Sequence, residues 1–399
     1  MRLKNKYAAV LAVVLAAAGV STTVVLAPGA SAAVACAPAW SSSAIYVKDN
    51  TVSYQSKNYT AKWWTQGEVP TASGEWGVWA DKGACGGGTT PTTPPTTPPT
   101  GPTTPPSTGT KMASAPYIYP GWGNPPAPST VINATGIRAF TMAFVLANGC
   151  NPVWDGEGGL TGGVHASTIA AIKAAGGSVV PSIGGWSGNK LGPNCSTPEL
   201  LAGAYQKVID AFGLKAIDID IENSDEFENT AVQDRILGAL KIVKQKNPSV
   251  KTILTFGTST TGPTYFGVRL IQQAKALGAN IDVFTQMPFD FGGGADMYAS
   301  TVGASEGLKN QLKTVFGYSD AQAYSHMGIS GMNGLSDQQE VTSVDTWTRI
   351  RDYAKSHNFA RFTFWAVNRD RGCAGGGVVS DCSGIAQADW AFTKVSAGF

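Results

Sequence analysis

Histidine is scarce in this chain, and its cysteines never fall in close pairs. His165, His326 and His357 are scattered, and none of the six cysteines forms a Cys-x-x-Cys pair. Zinc centres draw on such residues at short spacings, so neither a metal site nor a cofactor is expected. Excess charge is missing too. Lys and Arg number 29 against 27 Asp and Glu, a net of +2, with no basic run and no interleaving of basic and aromatic residues. A nucleic-acid partner is not expected. Beyond the first residues no stretch is apolar and long enough to span a bilayer, so no membrane association is expected after processing.

What the chain does contain begins with a targeting pattern. Arg2, Lys4 and Lys6 precede a run, Tyr7 to Leu26, that is mostly Ala, Val and Leu. Ala30-Ser31-Ala32, or Ala33-Val34-Ala35, fits a small-residue cleavage site. Gly19, Ser21, Thr22 and Thr23, followed by Pro28-Gly29, argue against a permanent anchor. Cys36 after Ala35 is similar to a lipoprotein signal, but Ala33 stands where such signals usually carry leucine. Residues 1–35 are therefore read as a secretory signal peptide and the mature protein as extracellular. An even number of cysteines in an exported chain suggests disulfides. Proximity and domain membership favour Cys36 with Cys85, Cys150 with Cys195, and Cys373 with Cys382, although sequence alone does not fix connectivity.

Composition breaks the chain once. Gly86 to Thr110 is almost wholly Gly, Thr, Pro and Ser, a tract that buries no core and whose prolines favour an extended spacer. This gives a module at 36–85, a linker at 86–110 and a large domain at 111–399, in a chain expected to act as a monomer. The module carries eight large aromatic rings: Trp40, Tyr46, Tyr54, Tyr59, Trp63, Trp64, Trp76 and Trp79. Short alternating stretches around Thr51 and Asn58 read as strands. So small a module needs its end-to-end disulfide, and it cannot hide every ring. Exposed rings on a rigid platform stack on the apolar faces of sugars. Ala61 to Pro70, then Trp76-Gly77-Val78-Trp79 and Cys85, resembles the carbohydrate-binding modules of families 5 and 12, which bind chitin in most bacterial enzymes that carry them. The resemblance implies that some of Tyr59, Trp63 and Trp64 face the polymer.

The large domain alternates. Strand-like runs start at Ala115, Ala139, Ser178, Ala216, Lys251, Ile281, Ser325 and Arg361. Helix-like segments include His165–Ala175, Thr197–Phe212, Ala231–Lys246, Tyr265–Leu277, Val344–His357 and Gly384–Ala397. Several end on Gly or Asn-Pro stops. Eight strands with intervening helices argue for an α/β fold, a (β/α)8 TIM barrel, with one irregular link after the first strand.

The fourth run, Ala216-Ile217-Asp218-Ile219-Asp220-Ile221-Glu222, places an acid at every second position. On a strand, Asp218, Asp220 and Glu222 share one face and the isoleucines the other. In a solvated antiparallel sheet the acids would simply face water. In a barrel they point inward, with Asp218 deepest and Glu222 at the C-terminal mouth, where barrel enzymes keep their active sites. Three acids this close repel unless a proton is shared. Asp220 and Glu222 lie roughly 6–7 Å apart along one strand, so they cannot flank a glycosidic bond from opposite sides. Glu222 can protonate the leaving oxygen. The nucleophile must then come from elsewhere, and the acetamido oxygen of an N-acetylated sugar is the economical source. Asp220 would orient that group, and Asp218 would share its proton.

The row resembles the strand-four signature of family 18 glycoside hydrolases, Asp-Gly-x-Asp-x-Asp-x-Glu. Ser182-Ile183-Gly184-Gly185 resembles that family's Ser-x-Gly-Gly element on strand three. Met287-Pro288-Phe289-Asp290 is similar to its Met-x-Tyr-Asp element on strand six, and Trp365 to the tryptophan that ends strand eight. The resemblance implies a secreted bacterial chitinase acting on chitin and chito-oligosaccharides. It implies sugar contacts at Asp290, Met287, Phe289, Gln286, Trp365, Ser182, Gly184 and Gly185. Two positions depart from the pattern. Lys215-Ala216 replaces the leading Asp-Gly, and Phe289 replaces a tyrosine, for which Tyr117 or Tyr119 is the expected substitute hydroxyl. About a dozen residues join the seventh strand to the helix at Val344, which leaves no room for the insertion that deepens some clefts. An open, endo-acting cleft is expected. The alternatives are an endo-β-N-acetylglucosaminidase acting on N-glycans and a non-catalytic chitin-binding lectin.

Overall fold

The structure, a computed structural model, describes residues 34–42, 44–46, 49–62, 65–66, 68–72, 78–86, 111–373 and 376–399. The signal reading before residue 34, the linker from 87 to 110, and Trp63, Trp64 and Trp76 lie outside the described residues. Among the described residues no helix is long and apolar enough to cross a membrane.

The small unit is built on a three-stranded antiparallel sheet of Thr51–Tyr54, Lys57–Ala61 and Trp79–Ala84, with Ile45–Tyr46 paired to Thr65–Gln66. Its core is Tyr46, Val52, Tyr59, Ala61 and Trp79, closed by the Cys36–Cys85 disulfide. Asn58, buried beneath the N-terminal segment, accepts from the Ala37 N–H and donates to the Ala35 carbonyl. Tyr59 is 4% exposed and packs inside this sheet. It is therefore a core ring and not a polymer contact: on the middle strand its face of the sheet is the packed one.

The large unit is a (β/α)8 barrel preceded in the chain by this all-β, disulfide-stapled module. Eight parallel strands follow in order: β1 (Tyr117–Ile118), β2 (Ala139–Asn148), β3 (Ser178–Gly184), β4 (Ala216–Ile221), β5 (Lys251–Ser259), β6 (Val283–Met287), β7 (Met327–Met332) and β8 (Arg361–Trp365). The first strand is shorter than expected. The residues before it complete the ring, with Met112 N–H bonded to the Ala360 carbonyl and Ala115 N–H to that of Phe362. Among the described residues, eight helices of six residues or more cover the outside: α1 (Pro128–Thr135), α2 (Gly163–Ala174), α3 (Pro198–Phe212), α4 (Thr230–Lys246), α5 (Tyr265–Leu277), α6 (Met297–Phe316), α7 (Val344–Ser356) and α8 (Ala391–Ser396). Thr197, Asn229 and Asp296 cap α3, α4 and α6 through their side chains.

Three differences from expectation have local causes. The irregular link after β1 contains α1, opened by Pro128 and closed by Gly136 in the left-handed region. The long helix α6 has a weak sequence signal because Gly303 and Gly307 interrupt it. Both are there for close approach, since a Cβ on Gly307 would sit 1.9 Å from the Thr261 carbonyl oxygen. The helix expected from Gly384 starts only at Ala391. Buried Asp370 takes the N–H groups of Phe392 and Thr393 and the Thr393 hydroxyl, while Trp390 turns left-handed at φ 61°. The disulfides pair as expected, Cys150 with Cys195 and Cys373 with Cys382 in this unit.

Candidate active site

Strand β4 divides its side chains as the alternation requires. Ile217, Ile219 and Ile221 are at most 1% exposed and join the core between the strands and the helical shell. Asp218 and Asp220 turn into the barrel. The strand registers Asp218 beside Ser182 and Ile253, and Asp220 beside Gly184 and Thr255. Glu222 follows the last strand residue in extended conformation (φ −128°, ψ 162°) and is half-buried at the mouth. Lys215, by contrast, is exposed and faces away from the interior.

Asp218 lies in a polar layer of the barrel. Its carboxylate accepts from the hydroxyls of Tyr117 at 2.7 Å, Ser182 at 3.1 Å and Thr255 at 2.6 Å. It also accepts from both terminal nitrogens of Arg361, each at 3.2 Å. Arg361 is 1% exposed and spans the barrel floor to Thr141, Thr255 and Thr285. Asp220 has one long contact, the Tyr117 hydroxyl at 3.4 Å, and its Oδ1 is buried without a partner. Burial, then the charges of Glu222 and Asp218, push its proton affinity well above the carboxylate range. Asp218, by contrast, is surrounded by donors and a fixed cation.

Burial pushes Glu222 up to about 7, with Lys190 acting against the rise and Asp290 and Asp337 adding to it. Glu222 opens on a cleft of about 490 Å³ whose walls include Trp186, Asn223, Phe227, Gly257 and Met287. Trp186 is 68% exposed. Trp365, at the end of β8, stacks on Phe144 (centroids 5.5 Å, 14°) and meets Tyr117, Tyr119 and Trp122.

The remaining expected residues divide. Met287 lines the cleft and Phe289 is half-buried after β6. Asp290, left-handed at φ 59°, accepts from the Gln338 N–H at 3.1 Å and is raised by burial. Gln286 is misplaced by the sequence reading. Alternation along β6 sends Thr285 inward to Arg361 and Gln286 outward, where it donates to Ser305 on α6. Ser182 is fully buried and supports Asp218 rather than meeting solvent. Gly184 and Gly185 serve close packing, since a Cβ on Gly184 would lie 2.1 Å from the Asp220 carbonyl oxygen. The Gly185 N–H bonds to that same carbonyl at 3.0 Å. Tyr117 is committed to the aspartates, so it is not a spare hydroxyl for the missing tyrosine. Tyr119, half-buried and bonded to Asp155, is the one left facing the mouth. Arg361, Lys190, Asp337 and Trp186 were not anticipated. Only Arg361, a charge opening an otherwise apolar strand, and Trp186, next to the Ser-x-Gly-Gly element, gave a signal. Among the described residues no group of three or more His, Cys, Asp or Glu could hold a metal ion.

The (β/α)8 barrel thus carries a row of acids running to its mouth, and the chain is similar to several known proteins. Residues 39–80 match carbohydrate-binding module family 5/12. The chain is 26% identical over 349 residues to the probable bifunctional chitinase/lysozyme of Escherichia coli K12, covering 83% of this chain and 38% of that protein. It is also 26% identical over 346 residues to endochitinase 11 of Metarhizium anisopliae, covering 83% of this chain and 64% of that one. The chain thus spans less than two thirds of either relative. The catalytic domain of a hyperthermophilic chitinase from Pyrococcus furiosus superposes with a TM-score of 0.67 and 27% identity, over 74% of this chain and 97% of that domain.

Proposed function

We propose that the protein is a chitinase that cleaves β-1,4-linked N-acetylglucosamine polymers internally and with retention, using the substrate's acetamido oxygen as nucleophile. The observation that carries this reading is the acid row. Asp220 and Glu222 project from the same strand into the same mouth, so one can protonate the leaving oxygen while the other addresses the neighbouring acetamido group. Glu222 gives its proton to the glycosidic oxygen as that bond breaks and the acetamido oxygen bonds to the anomeric carbon. Positive charge then develops on the acetamido nitrogen. Asp220 passes its proton to Asp218 and becomes the counter-ion. Water, deprotonated by Glu222, opens the oxazolinium ring. Trp365 forms the apolar floor beneath the sugar.

The family 5/12 match, together with chitinases among the relatives, supports chitin over N-glycans as substrate. The short connection from β7 to α7, with only the two-stranded pairing of Gly334–Leu335 and Val341–Thr342, supports an open cleft and internal cleavage. The basic start, the apolar run and the disulfides support export. The anomer of the first product, read by NMR during hydrolysis of chito-oligosaccharides, tests the mechanism. The β-anomer is expected, and the α-anomer overturns acetamido participation.

A further inference from the structure

The chemistry above leaves the buried cation Lys190 unused. Lys190 is 1% exposed, and burying an ammonium is costly unless its partners offset the lost water. Its partners are few. Nζ donates to the Trp186 carbonyl at 3.2 Å and lies 3.6 Å from Oδ2 of Asp225. The same carbonyl accepts from Nδ2 of Asn223 at 2.6 Å. Asn223 directly follows Glu222 and is held left-handed at φ 50°. Glu226, three residues further, is 2% exposed. It accepts from the Gly192 N–H, and its Oε2 is buried without a partner. Gly192 packs closely on this carboxyl, since a Cβ there would sit 2.5 Å from Glu226 Oε1. The loop after β3 and the turn after β4 are therefore latched through one ammonium and two acids. The Cys150–Cys195 disulfide ties the end of that loop to the β2 hairpin.

We propose that Lys190 is a positioning residue for Glu222, its ammonium clamping the turn that carries Glu222 and Glu226 and supplying the cation that both carboxyls face. The proposal rests on Glu222 being the general acid. Carboxyls surround that site on every side. Asp220 comes from the same strand, Asp225 and Glu226 from the turn, Asp290 from the end of β6 and Asp337 from the loop after β7. Tyr205 on α3 faces Glu226, and Arg369 after β8 faces Asp290 and Asp337. Lys190 is the cation among the charges that act on Glu222. A group that must donate a proton and then take one back works best near the operating pH. Without Lys190, burial and the two facing aspartates would leave Glu222 holding its proton too tightly for the second step.

The test is the pH profile of kcat for the full chain on a soluble chito-oligosaccharide. Lys190→Met should move the alkaline limb up by roughly one pH unit, the size expected on removing a close opposite charge. The change should lie in kcat more than in KM. Lys190→Arg should keep the limb near its original position, and Asp337→Asn should move it down. If Lys190→Met fails to fold, Lys190→Gln keeps a donor to the Trp186 carbonyl while removing the charge, and the same upward shift is expected. An unmoved or lowered limb in the folded neutral variant overturns the proposal. Glu222→Gln separates the two readings. If it loses turnover while Lys190 variants leave the limb in place, only the positioning role fails. If it keeps full turnover, the general-acid reading fails with it.

Discussion

Arg361 and Asp218 face each other across the barrel interior as a two-point ion pair, both nitrogens at 3.2 Å from the two carboxylate oxygens and neither residue more than 1% exposed. They come from β8 and β4, on opposite sides of the strand order. The pair explains how three acids can share one strand face. It balances the deepest charge of the row.

Breaking such a pair from one side leaves a buried charge alone. Arg361→Met should destabilise the barrel by about 3–5 kcal/mol. Arg361→Met combined with Asp218→Asn should recover part of that loss, since no bare charge remains. Urea denaturation of the two single variants and the double variant measures the coupling, and strictly additive losses would contradict it.

Glu222→Gln removes the transferable proton while keeping the shape. Turnover on chito-oligosaccharides should fall roughly 10²–10⁴-fold. Binding of the same oligosaccharides should persist, and calorimetric titration of the variant checks that. Equal turnover of variant and parent would favour a lectin on the same barrel.

Stability should decline as pH rises from weakly acid to weakly alkaline. Burial raises Glu222 to about 7 and Glu226 to about 8, from an ordinary value of 4.5. Between those limits the native state binds more protons than the unfolded chain, so their contribution is present at low pH and is lost through this window. A lower melting temperature at pH 8 than at pH 5 is expected. Glu226→Gln should flatten the upper part of the decline, and a melting temperature that rises across the window would count against the burial of these acids.

The Cys150–Cys195 bridge closes a loop with a sequence separation of 45. By the chain-entropy estimate, replacing both cysteines with serine costs about 4 kcal/mol. Because the bridge anchors the loop carrying Trp186 and Lys190, kcat on oligosaccharides should fall below parent even well under the melting temperature. Parallel melting curves and initial rates test both parts.

The sequence alone determined the alternation that builds the barrel and the inward face of Asp218, Asp220 and Glu222, and neighbourhood favoured the cysteine pairing that the structure then fixed. These are local properties, because strand periodicity, turn residues and composition act over a few positions. Tertiary structure decided the rest. Tyr59 faces the module core because its strand is the middle one. Gln286 faces α6 because the strand register turns Thr285 inward. Tyr117, expected as a substitute hydroxyl for the missing tyrosine, is consumed by the aspartates instead. Arg361 reaches Asp218, and Lys190 reaches the turn after Glu222, only because the barrel and its loops bring together positions 143 and 35 residues apart. The acid row was legible from spacing because a strand fixes its own alternation. The charges that set where its protons rest were not, because a counter-ion is chosen by distance in space, which no local pattern encodes.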